Sequence, residues 1–256
     1  MALLRQTRSI VSGSAALLMV SELEFVPGDL DVYTPLSQEE AALAIVQGSM
    51  GFDKVSSWMP HGYCSNAAIC KVHRLAKARK SINLIIVQGE DPAAAVFHFH
   101  STIVMNYLSG FGLYCAYPGL TLLDAGVMNL PVVLRDVRAR GSAEECYEKY
   151  RDRGVTMVND VKKLSGHGRH DCRRDAECPH TVRSTVDELG LYVELLQPTD
   201  AEEEYLARHR YATIWMLGGP MCGARGTYFG NFVASLKASE ITVSKQSEPG
   251  VSTDPT

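Results

Sequence analysis

The stretch from Arg8 to Pro35, RSIVSGSAALLMVSELEFVPGDLDVYTP, most constrains what this chain can fold into. A short apolar run, Ser9 to Val11, meets Gly13-Ser14; a helix-like segment follows, and a Pro27-Gly28 turn leads into Asp29-Leu30-Asp31-Val32-Tyr33. The expected order is strand, tight Gly-Ser corner, helix, turn and a second strand carrying two carboxylates. Alternate side chains of a strand share a face, so Asp29 and Asp31 project together with Cα atoms about 6.5 to 7 Å apart. Two carboxylates so placed suit one or two hard cations. The corner offers backbone N–H groups and the positive end of a helix dipole, a seat for a phosphate. A plainer reading stays open: Pro-Gly-Asp is ordinary turn chemistry, with Asp29 capping the turn and Asp31 on a solvated strand face.

The remaining chain supplies further elements. Ser37-Gln-Glu-Glu40 reads as a capping box for a helix over Ala41 to Val46 that ends near Gly48 to Gly51. Ala68 to Leu75 and Ser81 to Val87, joined by the basic turn Lys77 to Lys80, read as a hairpin whose second run is continuous enough for a central strand. In Phe97 to Gly110, FHFHSTIVMNYLSG, His98 and His100 alternate on an expected strand, as half a metal site or as hydrogen-bonded structural residues. Thr102 and Asn106 are expected buried polar anchors. Ser142-Ala-Glu-Glu145 reads as a second capping box, opening a charged helix that Gly154 stops. Leu191 to Leu196 is an expected strand, Asp200 to His209 a helix, and Ala212 to Leu217 a last strand. The glycines from Gly218 to Gly230 lack the pattern of a P-loop or dinucleotide fingerprint and read as a close-packed turn. From about Ala238 the composition predicts a disordered tail.

The order and separation of Gly13, Ser14, Asp29 and Asp31 resemble the signature of the nucleotidyltransferase-like superfamily, of polymerase-beta-like fold. The resemblance implies that Gly13 and Ser14 hold a nucleoside triphosphate and that Asp29 and Asp31 bind Mg²⁺. Fourteen residues separate Ser14 from Asp29, slightly more than usual in that superfamily. It also implies a third carboxylate on a neighbouring strand, completing the metal site and helping to deprotonate the acceptor; the matching place in Ser81-Ile82-Asn83-Leu84-Ile85 holds Asn83. An amide offers a metal a neutral oxygen but does not accept a proton at neutral pH. Ile82 to Ile85, FHFHSTIVMNYLSG and the later CPHTVRSTVDELG together resemble a group of uncharacterised fungal proteins with a nucleotidyltransferase-like core, over most of residues 8 to 220.

The segment Lys162 to Arg183, KKLSGHGRHDCRRDAECPHTVR, stands apart in composition, with His167, His170, Cys172, Cys178 and His180 inside fourteen residues. Thiolate and imidazole are the ligands Zn²⁺ prefers, so Cys172, Cys178, His170 and His180 are candidate structural zinc ligands. Two other readings remain: a loop tethered by a Cys178-Pro179 turn, and a basic cover for a nucleotide's phosphates or an RNA backbone. Seven cysteines and no secretory signal point to a reducing, intracellular setting, cytoplasmic or nuclear. Arg5 and Arg8, with no acidic residue before Glu22, keep a mitochondrial presequence open. No apolar run approaches the roughly 20 residues of a membrane span, and a net charge of −4 gives no global attraction to nucleic acid.

The expectation is an α/β (α+β) protein: a nucleotidyltransferase-like mixed sheet over residues 1–125, an α+β extension over 126–236 with the Cys/His loop at 162–183, and a tail over 237–256. The expected function is Mg²⁺-dependent transfer of a nucleoside monophosphate from a nucleoside triphosphate to a hydroxyl acceptor, with Asp29, Asp31 and Asn83 at the centre. Two alternatives stand beside it: a catalytically degenerate fold that binds nucleotide, RNA or protein, and a zinc-stabilised interaction module.

Overall fold

A computed structural model describes residues 1–59, 68–135, 137–164, 171–220, 222 and 228–237. The helices are α1 (Ala2–Thr7), α2 (Ser14–Leu17), α3 (Glu39–Ala44), α4 (Ala93–Val96), α5 (Pro118–Thr121), α6 (Leu130–Val133), α7 (Val137–Arg151) and α8 (Asp200–Arg208). The first eleven strands are β1 (Ile10–Ser12), β2 (Leu30–Pro35), β3 (Asp53–Trp58), β4 (Ile69–Lys77), β5 (Lys80–Val87), β6 (Asn106–Leu108), β7 (Gly112–Cys115), β8 (Ala125–Val127), β9 (Thr156–Val158), β10 (Arg183–Ser184) and β11 (Leu191–Glu194). They are followed by β12 (Tyr211–Met216), β13 (Gly219–Pro220), β14 (Tyr228–Phe229) and β15 (Phe232–Lys237).

Eight strands form one mixed sheet in the order β11-β7-β6-β1-β2-β5-β4-β3, flanked by helices. Among the described residues its only parallel pair is β2 with β5. The architecture is mixed α/β, as the alternation of apolar strand and helix patterns predicts. β4 and β5 form the expected hairpin, and β5 lies between β2 and β4. That central place explains the unbroken apolar run at the end of β5, where Leu84, Ile85, Ile86 and Val87 are buried on both faces of the sheet.

The two faces have separate cores. Val11, Val32, Leu75, Leu84 and Ile86 point to one side, where they pack with Leu3 and Leu4 of α1 and Ala42 of α3. Ile10, Tyr33, Val72 and Ile85 point to the other, where a larger core holds Phe97, Ile103, Tyr150 and Trp215. Each fully buried side chain of this size contributes roughly 1.5–3 kcal/mol. The indole of Trp215 stacks on Phe97 with ring centroids 3.8 Å apart, and its Nε1 donates to the Tyr117 hydroxyl at 2.9 Å. Residues on either side of position 125 thus share one core. β12 belongs to a second sheet of order β10-β12-β15, and β8 and β9 form a parallel pair.

Several local expectations change. Ser37 does not cap a helix: it lies in a 3₁₀ turn, Leu36–Gln38, and its hydroxyl donates to Glu90 at 3.0 Å. Ser142 lies inside α7, which starts at Val137. The histidines at 98 and 100 are not on a strand, because α4 runs into a further turn in which the N–H groups of His98 and Phe99 donate to Ala95 and Val96. Gly154, at φ +93°, follows α7 as expected. Thr102 and Asn106 are buried anchors: Thr102 Oγ1 accepts from Val127 N, and Asn106 Nδ2 donates to Ile103 O. The tail expected from Ala238, and most of the glycine-rich stretch between β13 and β14, lie outside the described residues, as do His167 and His170.

Candidate functional site

The antiparallel pairing of β1 with β2 sets Ser12 opposite Asp31, and the parallel pairing of β2 with β5 sets Asp31 opposite Asn83. Across β4, Asn83 faces Arg74. Directly opposed residues share a face, so Ser12, Asp31, Asn83 and Arg74 form a polar row. It lies two residues along from the buried row Ile10, Tyr33, Ile85 and Val72, at the margin of the larger core.

Asp29 precedes β2 by one residue, yet its carboxylate turns to the same place. The amide of Asn83 donates to Asp29 Oδ2 at 2.7 Å and to Asp31 Oδ1 at 2.9 Å. A single neutral NH₂ therefore bridges both carboxylates. Burial comes first among the influences that raise the Asp31 carboxyl from 3.8 to about 6; the negative Asp29 adds to it, while the Asn83 bond and the Lys149 charge oppose it. Lys149 comes from α7, whose Tyr150 is packed in the core on this side of the sheet.

Gly13 closes the corner above Asp31. It has φ +70° and ψ −144°, and a Cβ there would stand 3.0 Å from Asp31 Oδ2. Glycine is required twice over, by the backbone angle and by the approach of the carboxylate. Ser14 begins α2 and is buried; Ser12 donates its hydroxyl to Asn106 O at 2.6 Å, tying β1 to the start of β6. With four residues, α2 is a single turn, so the backbone of the corner rather than a long helix dipole faces the carboxylates.

The pair fits a hard divalent cation by the chemistry of its donors. Asp29 and Asp31 leave one carboxylate oxygen each beyond the two that the Asn83 amide nitrogen engages. Mg²⁺ is commonly held by one or two carboxylates, with waters and substrate phosphates completing its octahedron. Burial is the main cause of the raised Asp31 carboxyl, and a cation at the pair would offset the smaller contribution that the negative Asp29 adds.

Among the described residues, neither histidine of FHFH belongs to a group of three or more side chains able to hold a metal. His100 is buried, and burial first, then the Lys149 charge, pull it down to about 3, so the imidazole is neutral. Burial likewise lowers His98, with Arg135 adding to the effect and a bond to Asn231 opposing it.

A second cluster lies elsewhere. The sulfurs of Cys172, Cys178 and Cys222 all fall within 4.8 Å of one another, an arrangement able to hold a metal ion. Cys178 Sγ is 4.0 Å from Cys222 Sγ. Burial first, then the Cys178 and Cys172 sulfurs, push the Cys222 thiol up to about 12. His180 is not part of the cluster: its Nε2 pairs with Pro220 O at 2.9 Å. Cys172 and Cys178 are brought together as the sequence suggests, whereas Cys222 was hidden by 44 residues of separation from Cys178. Arg74 and Lys149 were equally hidden, the first by strand register and the second on a helix whose sequence signals only solvated charge.

Among the described residues no helix is long and apolar enough to cross a membrane. No family model, curated protein or solved structure matches the chain, so the reading of its site rests on the geometry of its own residues.

Proposed function

We propose that the chain is a Mg²⁺-dependent nucleotidyltransferase, moving a nucleoside monophosphate from a nucleoside triphosphate to a hydroxyl acceptor. The observation that carries this reading is the convergence of Asp29, Asp31 and Asn83 beneath the Gly13-Ser14 corner. Asp29 and Asp31 hold the cation, and Asn83 fixes the orientation of both carboxylates. The Gly13-Ser14 backbone receives the phosphates, while Arg74 and Lys149 supply positive charge on the same side of the sheet. Mg²⁺, when bound, neutralises phosphate charge and stabilises the attacking and leaving oxygens of the in-line displacement. Asn83 takes no proton at neutral pH. Positioning and electrostatics dominate phosphoryl transfer, so the missing third carboxylate slows the reaction without abolishing it. Zinc, the second metal suggested by the composition, is proposed for the thiol cluster, apart from the transfer chemistry.

The test is calorimetric titration of Mg²⁺ with each of the four ribonucleoside triphosphates, beside an Asp29→Asn/Asp31→Asn variant, followed by pyrophosphate release with RNA and small-hydroxyl acceptors. Magnesium-dependent binding that the variant loses supports the site. Absence of binding to the folded wild type sinks it.

The Asn83 bridge favours one second reading, a fold of this kind that binds nucleotide or RNA without turnover. One negative charge fewer weakens the hold on cations, and the amide already satisfies both carboxylates. Magnesium-dependent nucleotide binding with no pyrophosphate from any acceptor would favour it.

A further inference from the structure

We propose that Cys172, Cys178 and Cys222 are the protein ligands of a zinc site that clips the turn at 171–179 to the hairpin of β13 and β14, with the fourth coordination position lying outside the three thiols.

The separations suit the ion. Zn–S bonds of about 2.3 Å at tetrahedral angles hold sulfurs about 3.8 Å apart. Cys178 and Cys222 are already at 4.0 Å, and the whole trio falls within 4.8 Å. A disulfide needs sulfurs at about 2.05 Å and leaves one thiol over. Three sulfurs facing one point are therefore better matched to a cation than to a covalent pair. Thiolate donors select zinc among the abundant divalent ions that lack redox chemistry, and reject the hard Mg²⁺ proposed for Asp29 and Asp31.

The scaffold positions the sulfurs by bonds that do not involve them. Cys178 N donates to Asp175 O at 3.1 Å, Thr181 Oγ1 donates to Asp175 O at 2.7 Å, and Gly218 N donates to Pro179 O at 2.8 Å. His180 Nε2 donates to Pro220 O, two residues before Cys222, in the tautomer that carries its proton there. His180 thus positions the hairpin and is not itself a ligand. The sulfur of Cys178 accepts the backbone N–H of Arg173 at 3.5 Å, from a residue held at φ +67°. Such outer contacts orient metal ligands and temper the charge of a thiolate. Cys178 is buried, Cys222 half-buried and Cys172 exposed, a gradient that leaves a route for the ion.

The experiment uses the full chain, purified reduced and without chelator. Elemental analysis is expected to give about one zinc per chain. Cobalt substitution is expected to give a thiolate-to-metal charge-transfer band in the near ultraviolet and intense visible bands of a tetrahedral centre. Cys172→Ser and Cys222→Ser are expected to weaken binding more than about tenfold, as loss of an outer contact alone already costs about 10- to 100-fold. Cys70→Ser, on β4 and outside the cluster, is expected to retain the cobalt spectrum. Should Cys178→Ser fail to fold, the wild-type spectrum and the exposed Cys172→Ser variant still decide. The proposal is overturned if the folded wild type takes up neither zinc nor cobalt, or if Cys222→Ser binds as well as wild type. None of these readouts depends on nucleotide, so the zinc site and the transferase reading fail separately.

Discussion

Asn83 stands opposite Asp31 in the parallel pairing of β2 and β5 and donates to its Oδ1 at 2.9 Å, while the same amide nitrogen donates to Asp29 Oδ2 at 2.7 Å. One neutral side chain thereby holds together two like charges that would otherwise part. In the proposed transferase reading this is the place of a third carboxylate, which makes its identity the most informative single change.

Asn83→Asp is expected to destabilise the metal-free protein by about 1–3 kcal/mol, because two donor bonds are replaced by repulsion between half-buried carboxylates. Mg²⁺ is expected to reverse the order. The variant should bind it about tenfold more tightly, equivalent to about 1.4 kcal/mol, and its thermal midpoint should rise more on adding the ion. Thermal melts with and without Mg²⁺ check both halves. Weaker Mg²⁺ binding by the variant would remove the cation site from this face of the sheet.

The raised Asp31 carboxyl makes a pH prediction of definite sign. Its folded value, about 6, lies above the ordinary 3.8, so the native state binds the proton more tightly than the unfolded state. The resulting stabilisation is present below pH 3.8 and is lost as pH rises through 6. A shift of this size corresponds to about 3 kcal/mol, and about 2 kcal/mol is expected because Asp31 keeps part of its surface in water. Urea denaturation of wild type and Asp31→Asn from about pH 4 to 7 should show the variant lacking this loss, and Mg²⁺ should restore stability to wild type above about pH 6. Equal pH profiles for the two proteins would mean that Asp31 titrates normally.

Much of this site was legible in the sequence, for a simple reason. A strand repeats every two residues, so Asp29-x-Asp31 fixes a face, and the hairpin around Lys77 to Lys80 makes β5 a strand whose neighbour only the fold can choose. Its pairing with β2 in a register that sets Asn83 at Asp31 is a tertiary fact. Local signals misled wherever a side chain had a better distant partner. Ser37 has the spacing of a cap but gives its hydroxyl to Glu90, 53 residues away. His98 and His100 alternate as in a strand, yet Phe97, Phe99 and His100 are all buried in a tight turn, with no solvated face for alternation to describe. The unexpected cap is at Thr199, whose N–H and hydroxyl both donate to Glu202 at 2.9 Å, while Glu202 also pairs with Arg5 of α1.

Gly13→Ala separates the role of the corner from that of the carboxylates. The residue sits at φ +70°, and the added Cβ meets Asp31 Oδ2 at 3.0 Å. Backbone strain of this kind costs about 1–3 kcal/mol. Displacement of Asp31 should also weaken the bridge to Asn83 and lower Mg²⁺ affinity. Gly28→Ala is the matched control: a Cβ there has nothing within 4 Å. Denaturant midpoints and Mg²⁺ titrations of the two variants are expected to diverge, with Gly28→Ala near wild type. If both behave alike, the Gly-Ser corner has no special part in the site.

The joint between the larger core and the C-terminal strands depends on Arg183, which is buried and held by Asp187 through Nε to Oδ2 at 2.8 Å and Nη2 to Oδ1 at 3.1 Å. Its guanidinium also donates to Ala116 O at 3.0 Å and lies 5.1 Å from the Tyr117 ring centroid. Asp187 in turn accepts the N–H groups of Ser184, Leu189 and Gly190. Burial tends to raise the Asp187 carboxyl, but the Arg183 contact and these N–H bonds outweigh it and hold it below 3.8. The stability it contributes is therefore present above pH 3.8 and is lost as pH falls through its lower folded value, opposite in sign to Asp31. Arg183→Met leaves a partly buried carboxylate without its cation and is expected to cost about 3–5 kcal/mol. Adding Asp187→Asn should recover part of that loss, since the unpaired charge goes with it, although the three N–H groups lose their best acceptor. A double-mutant cycle by urea denaturation at about pH 7 measures the coupling. A coupling energy near zero would mean that the contacts of the Arg183 guanidinium with the Tyr117 and Trp215 rings, rather than the ion pair, hold this joint together.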